Sequence, residues 1–188
     1  MKKILSILVL SLLLSTNTTM ASEEVEFDIV HKTETYEIRK YSERLVAQAI
    51  NNKDNTTFRK LFNYISGANN SSKKIEMTAP VTQTKKNNTF FMQFYLPSKF
   101  NKNTTPIPSN SDVKITLMEE GYFAVITYSG RSSDKNFTKY SKILYEKLLE
   151  DKILINSFAI RATYNPPWTL PPLRRNEVMF NVKWNNLQ

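Results

Sequence analysis

The stretch TTFRKLFNYISG, residues 56–67, decides the fold, because it describes an amphipathic helix together with both of its ends. Its large apolar side chains recur at the spacing of one helical face, at Phe58, Leu61, Phe62 and Ile65. Asn55 or Thr56 supplies the N-cap, and Gly67 ends the helix at C′. The stretch therefore predicts a short helix that packs one face against the rest of the protein.

A second stretch, SSDKNFTKYSKILYEKLLED at residues 132–151, repeats this pattern. Three of its apolar side chains follow the spacing of Phe58, Leu61 and Ile65, namely Phe137, Tyr140 and Leu144. Ser141 stands in the place of Phe62, so the repeat itself does not require a phenylalanine there. A self-similar pair of helices indicates an internal duplication.

Segments rich in β-branched and aromatic residues precede and follow each helix in the same order. They span residues 36–50, 74–81 and 90–97 around the first helix, and residues 113–129, 157–168 and 176–184 around the second. Ala79-Pro80 corresponds to Asn165-Pro166 in this alignment. Phe94 corresponds to Phe180 at the same offset, which exceeds the offset of the helices because the second helix is longer. Each half is thus predicted as strand, strand, helix, strand, strand.

These halves, about residues 36–97 and 113–184, are joined by a polar segment with two prolines at residues 98–112. They predict an α+β fold, in which a distorted antiparallel β-barrel carries two flanking helices and a pseudo-twofold internal repeat. A chance likeness of two amphipathic helices is the alternative. The matching strands on both sides of each helix favour duplication.

The first 21 residues predict a secretory signal peptide. Lys2 and Lys3 precede a short apolar run, and the small-residue site ends at Ala21. We expect cleavage there, which leaves residues 22–188 as a single domain that is exported and is periplasmic or secreted. The apolar run is too short to span a bilayer, so we do not expect a membrane-spanning protein.

The composition limits the kinds of site that the chain can form. The chain has no cysteine and one histidine, which excludes disulfides, thiolate metal sites and a cysteine nucleophile. Its formal charge of +9 attracts anions, although most of the lysines are expected on the solvated surface. Export argues against nucleic acid as the partner.

Several segments, in this order, resemble the SOUL family of haem-binding proteins. They are YEIRKY at 36–41, FRKLFNYISG at 58–67, KIEMTAPV at 74–81, FFMQFYLP at 90–97, YNPPW at 164–168 and RRNEVMFNV at 174–182. The resemblance covers nearly all of the expected mature chain. It implies a distorted β-barrel with two helices and a pseudo-twofold repeat, related to gyrase-inhibitor-like domains that bind small molecules.

The resemblance also implies that haem or another porphyrin binds in an apolar cleft beside the first helix. Phe58 and Phe62 then form an aromatic wall for the ring, and Met77 lies on the strand that follows. Leu61 and Ile65 on the same helix are expected in the core. The propionates would be held by basic residues, for which the candidates are Arg59, Lys60, Arg174 and Arg175.

No iron ligand is evident in this sequence. Some family members carry a histidine directly after Y-E-I-R, and here that residue is Lys40, a poor ligand when protonated. The single histidine, His31, lies near the expected mature N-terminus. Tyr64 and Met77 are further candidates, since both residue types ligate haem iron. We expect binding mainly by packing.

Catalysis is not expected from these residues, because one histidine and no cysteine nearly exclude a Ser-His-Asp arrangement and a zinc site of the usual type. Glu76 and Glu177 are predicted on matching strands of the two halves and would be the candidate pair of carboxylates in a shared cleft. Strand alternation places Glu76 toward solvent instead. The alternatives to a tetrapyrrole carrier are a binding module for another apolar anion or a cationic amphiphile, and an interaction protein of the cell envelope.

Overall fold

The computed structural model describes residues 22–51 and 56–185, so the predicted leader and the candidate cap Asn55 lie outside the described residues. Within them the chain forms ten strands and two α-helices. The strands are β1 (Asp28–Lys32), β2 (Glu37–Tyr41), β3 (Arg44–Asn51), β4 (Val81–Lys86), β5 (Thr89–Tyr95), β6 (Val113–Met118), β7 (Gly121–Tyr128), β8 (Leu154–Ile155), β9 (Ile160–Thr163) and β10 (Asn176–Lys183). The helices are α1 (Thr57–Ile65) and α2 (Asp134–Glu150).

All ten strands belong to one antiparallel sheet that curls into a half-barrel, which confirms the predicted α+β class. The strand order is β1-β2-β7-β10-β9-β4-β5-β3-β6, and β8 pairs with β10. Helix α1 packs on β3, β5 and β6, while α2 packs on β7, β8 and β10. Helix α1 starts after the N-cap Thr56 and ends before Gly67, whose φ of +116° lies in the left-handed region that glycine favours.

The strand order confirms the internal repeat and shows that strands of one half pair with strands of the other. β4 and β9 pair at the centre, with β5, β3 and β6 on one side and β10, β7 and β2 on the other. The first strand of each half pairs with the opposite half, since β2 pairs with β7 and β6 pairs with β3. Each half therefore completes the sheet of the other.

The predicted strand at residues 74–81 is wrong for all but its last residue. β4 begins at Val81, and the segment before it is extended without a continuous ladder. Pro80 has no N–H to donate to a ladder, so it marks where the strand starts. Ala79 instead forms an isolated bridge with the N-terminal segment, in which its N–H donates to the Glu23 carbonyl at 2.8 Å.

The predicted correspondence of Ala79-Pro80 with Asn165-Pro166 is also wrong. Ala79-Pro80 precedes β4, whereas Asn165-Pro166 follows β9. The extra residues of the second half lie in the connection from β9 to β10, where the first half has only the tight turn at Asn87-Asn88. Phe94 and Phe180 do lie on equivalent strands, because a change in connection length does not alter the pairing of β5 or β10.

Both helices lie on the same face of the sheet. The register links Met92 of β5 through Gln83 and Arg161 to Val178 of β10, and directly opposed residues of an antiparallel sheet share a face. Met92 belongs to the core under α1, which also holds Leu61 and Ile65 as predicted, and Val178 belongs to the core under α2. A groove therefore separates the helices above β4 and β9.

The opposite face of the sheet carries a buried ion cluster around Glu177. Its carboxylate has no exposed surface and accepts from Arg39 Nη1 at 3.1 Å and from the Tyr164 hydroxyl at 2.8 Å. Arg175 Nη2 lies 2.9 Å from the same carboxylate. Burial and the charge of Glu177 raise the pKa of Tyr164 above its usual range, so the phenol remains a donor. The cluster joins β2, β10 and the end of β9.

Glu76 does not share this environment, so the two carboxylates form no common cleft. Its side chain is 72% exposed and pairs with Lys99 at 2.8 Å, in agreement with its predicted orientation to solvent. Glu177, by contrast, is enclosed on the face opposite the helices, where two guanidinium groups neutralise it. The cluster is consistent with a structural role.

We predict that Glu177→Gln lowers the free energy of unfolding by about 3 kcal/mol or more, because it removes the buried carboxylate between Arg39 and Arg175. Among the described residues, Arg39 would keep only the partly exposed Glu37 as an anionic partner. Urea unfolding followed by circular dichroism measures this change. Glu76→Gln is the matched control and should leave the unfolding midpoint unchanged, since its ion pair is solvated. Equal midpoints for the two variants would contradict the structural role of the cluster.

Candidate functional site

Two phenyl rings stand side by side on the outer surface of α1. Phe58 and Phe62 are 46% and 49% exposed, and their rings are stacked at 6.0 Å with an interplanar angle of 14°. Phe58 also contacts the buried Phe94 edge-on at 5.3 Å. Leu61 and Ile65 form the buried core face of the helix. The phenyl pair of Phe58 and Phe62 is therefore available to a flat ligand.

A cavity of about 590 Å³ lies beside the amino-terminal half of α2, above β4, β5 and β9. This inter-helix cavity is lined by both apolar and basic side chains, including Phe90, Met92, Phe137, Ala159, Lys85 and Arg161. None of its described lining residues belongs to α1, so it lies beside the second helix, whereas the predicted cleft was beside the first. Ligand sites in proteins typically enclose roughly 300 to 1,000 Å³. The inter-helix cavity is therefore large enough for a small organic ligand.

The phenyl pair and the inter-helix cavity share one surface of β5. Met92 lines the cavity, and Phe94, which Phe58 contacts, lies two residues further along the strand. Residues two apart on a strand point to the same face and are separated by about 6 to 7 Å. The aromatic wall of α1 and the inter-helix cavity are thus neighbouring parts of the helix-bearing face.

Two cations lie at the inter-helix cavity. The guanidinium of Arg161 is 4.5 Å from the centroid of the Phe137 ring, and its Nη2 lies 2.6 Å from the exposed carboxylate of Asp134. Lys85 is exposed and forms no salt bridge within the part of the chain that the structure describes. A carboxylate-bearing ligand would meet positive charge on one side of the inter-helix cavity and apolar side chains on the other.

Tyr64 and Met77, the predicted alternatives for an iron ligand, do not line the inter-helix cavity. Tyr64 is 1% exposed and its hydroxyl donates to the Pro106 carbonyl at 2.9 Å. Burial raises the pKa of Tyr64 to about 12. Met77 is half-buried against the core under α1. Both side chains therefore belong to the packing of the core under α1.

The predicted propionate partners are placed in different regions. Arg59 is exposed on α1, whereas Lys60 Nζ is 2.7 Å from the Asp112 carboxylate. The guanidinium of Arg174 donates to the carbonyls of its own connection, those of Pro167 and Thr169. Arg175 is bound to Glu177 on the opposite face of the sheet. The structure therefore brings Arg59 and Lys60 close to the phenyl pair and leaves Arg175 remote from it.

His31 and Lys40 lie far from α1 in the sheet. His31 is on the exposed edge strand β1, with its ring 5.1 Å from that of Trp184. Lys40 is exposed on the adjacent β2, and both strands are at the edge opposite β6, on which α1 packs. Among the described residues, no group of three or more histidine, cysteine, aspartate or glutamate side chains is arranged to hold a metal ion.

The cavity-lining residues were not identified from the sequence. Phe90 and Met92 alternate with polar or outward-facing positions in the stretch FFMQFY, which is a detectable signal for one face of a strand. Lys85 and Arg161 have no such signal, since each is one of many basic residues in a β-rich segment.

No helix within the described residues is long and apolar enough to cross a membrane.

Solved structures with the same fold include proteins of several kinds. The C-terminal domain of EcmrR has a TM-score of 0.60 at 12% identity, covering 79% of this chain and 96% of that domain. An uncharacterized conserved protein from Listeria innocua has a TM-score of 0.61 at 9% identity, covering 81% of this chain and 94% of that protein. At such low identity these likenesses show the fold alone.

Sequence comparison identifies nearer relatives. Heme-binding protein 2 of Homo sapiens is 32% identical over 165 residues, covering 80% of this chain and 79% of the human protein. Heme-binding protein 2 of Mus musculus is 31% identical over 180 residues, covering 88% of this chain and 86% of the mouse protein. The sequence profile described as SOUL heme-binding protein matches residues 22–181. This chain therefore belongs to the SOUL family of heme-binding proteins.

Proposed function

We propose that this protein is an exported binding protein for haem or a related tetrapyrrole, and that it acts without catalysis. The observation that supports this function is the phenyl pair of Phe58 and Phe62, stacked and half-exposed beside the inter-helix cavity. Aromatic rings held in this way offer a preformed surface to a planar macrocycle. Family membership and the relatives named heme-binding protein 2 support the class of ligand.

Burial of apolar surface would supply most of the binding free energy. Each Å² of apolar surface removed from water contributes about 25 cal/mol, and a tetrapyrrole presents two large faces. One face would lie against the phenyl pair, while its edge reaches the side chains of Phe90 and Phe137. Phe58 stacks on Phe62 and contacts Phe94 edge-on, and these contacts limit the side-chain entropy lost on binding.

The propionates would be bound by Lys85 and Arg161, with Arg59 as a third cation at α1. Charge-assisted hydrogen bonds to carboxylates are stronger than those between neutral groups. Arg161 would exchange its contact with the exposed carboxylate of Asp134, and Lys60 would exchange its contact with Asp112. Arg175 would have to leave Glu177 on the other face of the sheet. We therefore assign the main anion contacts to the basic residues of the inter-helix cavity rather than to Arg174 and Arg175.

Binding would depend on packing more than on iron. Met92 brings a thioether to the inter-helix cavity, whereas the imidazole of His31 lies on the remote edge strand β1. A thioether is a weak donor compared with imidazole or thiolate. A bound haem would bring its iron as the redox-active centre, and the residues around it would orient the ring and shield part of it from water.

Export is part of the same proposal. The leader at residues 1–21 and the absence of cysteine fit a protein that folds outside the cytoplasm without disulfides. An extracytoplasmic carrier of this kind would bind tetrapyrroles that are otherwise nearly insoluble in water.

We predict that the purified protein binds hemin saturably, with a shift of the Soret band, and that Phe58→Ala/Phe62→Ala weakens binding by about tenfold or more. The reason is that each ring contributes on the order of 1 kcal/mol to contact with the macrocycle. Protoporphyrin IX without iron should bind within about threefold of hemin, because packing is the main term. Absorbance and fluorescence titrations measure both affinities.

Tyr145→Ala is the matched control, since Tyr145 is 47% exposed on α2 and lies on another part of the surface. It should bind hemin like the unmodified protein. Lys85→Gln/Arg161→Gln should weaken hemin but leave porphyrin dimethyl esters unaffected. The proposed site fails if hemin binds equally well to the aromatic variant, and the function fails if no saturable binding occurs at all.

We predict that the full sequence, expressed in a bacterium, yields a periplasmic or secreted product that begins at Ser22. Intact-mass spectrometry of each cell fraction measures the N-terminus and the location together. Replacing Leu12 and Leu13 with arginine should block processing, because a charged h-region does not enter the export pathway. An unprocessed cytoplasmic product from the unaltered sequence would refute export.

A further inference from the structure

The connection from β9 to β10 exposes three large apolar side chains within a few residues of one another. Trp168, Leu170 and Leu173 are 82%, 66% and 72% exposed. Single exposed apolar residues are common, but a contiguous group of them marks an interaction surface. These three side chains are called the apolar loop below.

The backbone of the apolar loop is held firmly, so the exposure of its side chains is built into the fold. A short 3-10 helix at Pro171–Leu173 includes a hydrogen bond from Leu173 N–H to the Leu170 carbonyl at 2.9 Å. Gly130 N–H donates to the Pro171 carbonyl at 2.8 Å, which ties the loop to the end of β7. Arg174 Nε donates to the Thr169 carbonyl at 2.7 Å. Little ordering entropy would be lost when the loop binds a partner.

Positive charge adjoins the apolar loop. A depression of about 530 Å³ beside it is lined by residues that include Trp168, Leu170, Arg131 and Arg174. Among the described residues that line it, two are arginines and none is a carboxylate. Among the described residues, the guanidinium of Arg174 donates to the carbonyls of Pro167 and Thr169 and forms no salt bridge, so its charge is not neutralised there.

We propose that the apolar loop docks on an anionic lipid surface, with Trp168, Leu170 and Leu173 at the boundary of headgroups and acyl chains and Arg131 and Arg174 on the phosphates. Tryptophan is favoured at this boundary because its ring is amphipathic. The unneutralised arginines and the excess of basic over acidic residues in the chain favour an anionic membrane over a neutral surface. This inference goes beyond haem binding and does not depend on it, since the loop is distinct from the inter-helix cavity.

Sedimentation with vesicles tests the proposal. The protein expressed from the full sequence should bind phosphatidylcholine vesicles that contain phosphatidylglycerol, and added salt should weaken the binding. Trp168→Ser/Leu170→Ser/Leu173→Ser should reduce the partition coefficient by about tenfold or more, since it removes the apolar surface that would enter the acyl-chain boundary. Arg131→Gln should reduce it by about fivefold.

Tryptophan fluorescence locates the contact. In Trp184→Phe the remaining tryptophan is Trp168, which is nearly fully exposed. Its emission should shift to the blue on binding and should be quenched by lipids brominated in the acyl chain. Binding without either change would overturn the assignment to the apolar loop.

The matched control is Ile107→Ser/Leu149→Ser/Leu154→Ser, which removes three aliphatic side chains that are 64%, 55% and 63% exposed elsewhere. All variants carry the same N-terminus, so any contribution of the leader cancels. The control should bind vesicles like the unmodified protein. The proposal is overturned if the control loses binding equally, if anionic vesicles are not bound, or if sedimentation velocity without lipid shows self-association that the loop variant removes.

Discussion

The pairing of β2 with β7 and of β6 with β3 is the constraint on which the rest of the structure depends. The first strand of each half pairs with a strand of the other half, so neither half forms a complete sheet by itself. β4 and β9 then meet at the centre, where one strand of each half pairs with its equivalent. The two helices are thereby held side by side on one face of the curled sheet.

The duplicated scaffold becomes functional through the differences between its halves. Phe58 and Phe137 are equivalent positions of the repeat, but Phe58 is joined on α1 by Phe62, whereas α2 has Ser141 there. Only α1 therefore presents a stacked phenyl pair to solvent within the described surface. The connection from β9 to β10 differs as well, because the tight turn at Asn87-Asn88 is replaced by a long segment with exposed apolar side chains.

The two faces of the sheet have separate roles. The helix-bearing face holds the phenyl pair and the inter-helix cavity, where apolar side chains lie next to Lys85 and Arg161. The opposite face encloses Glu177 between guanidinium groups, and Val25 of the N-terminal segment is buried there. Arg175 pairs with Glu177 on this opposite face, away from the inter-helix cavity, despite its place in a segment that resembles the family.

The family was inferred from the resemblance of several sequence segments. Residue spacing along the chain was sufficient to predict both helices, most strands, the α+β class and the repeat. These features depend on local periodicity, such as the apolar face of residues 58–65 and the glycine that ends α1. The start of β4 was misplaced, because Pro80 marks the end of a strand or the start of one, and the sequence does not distinguish the two cases until the pairing partner of the strand is known. The residues that line the inter-helix cavity were decided only by tertiary structure. Arg161 is one of many basic residues in a β-rich segment, and only the register of β4 with β9 brings it to the helix-bearing face, beside Phe137.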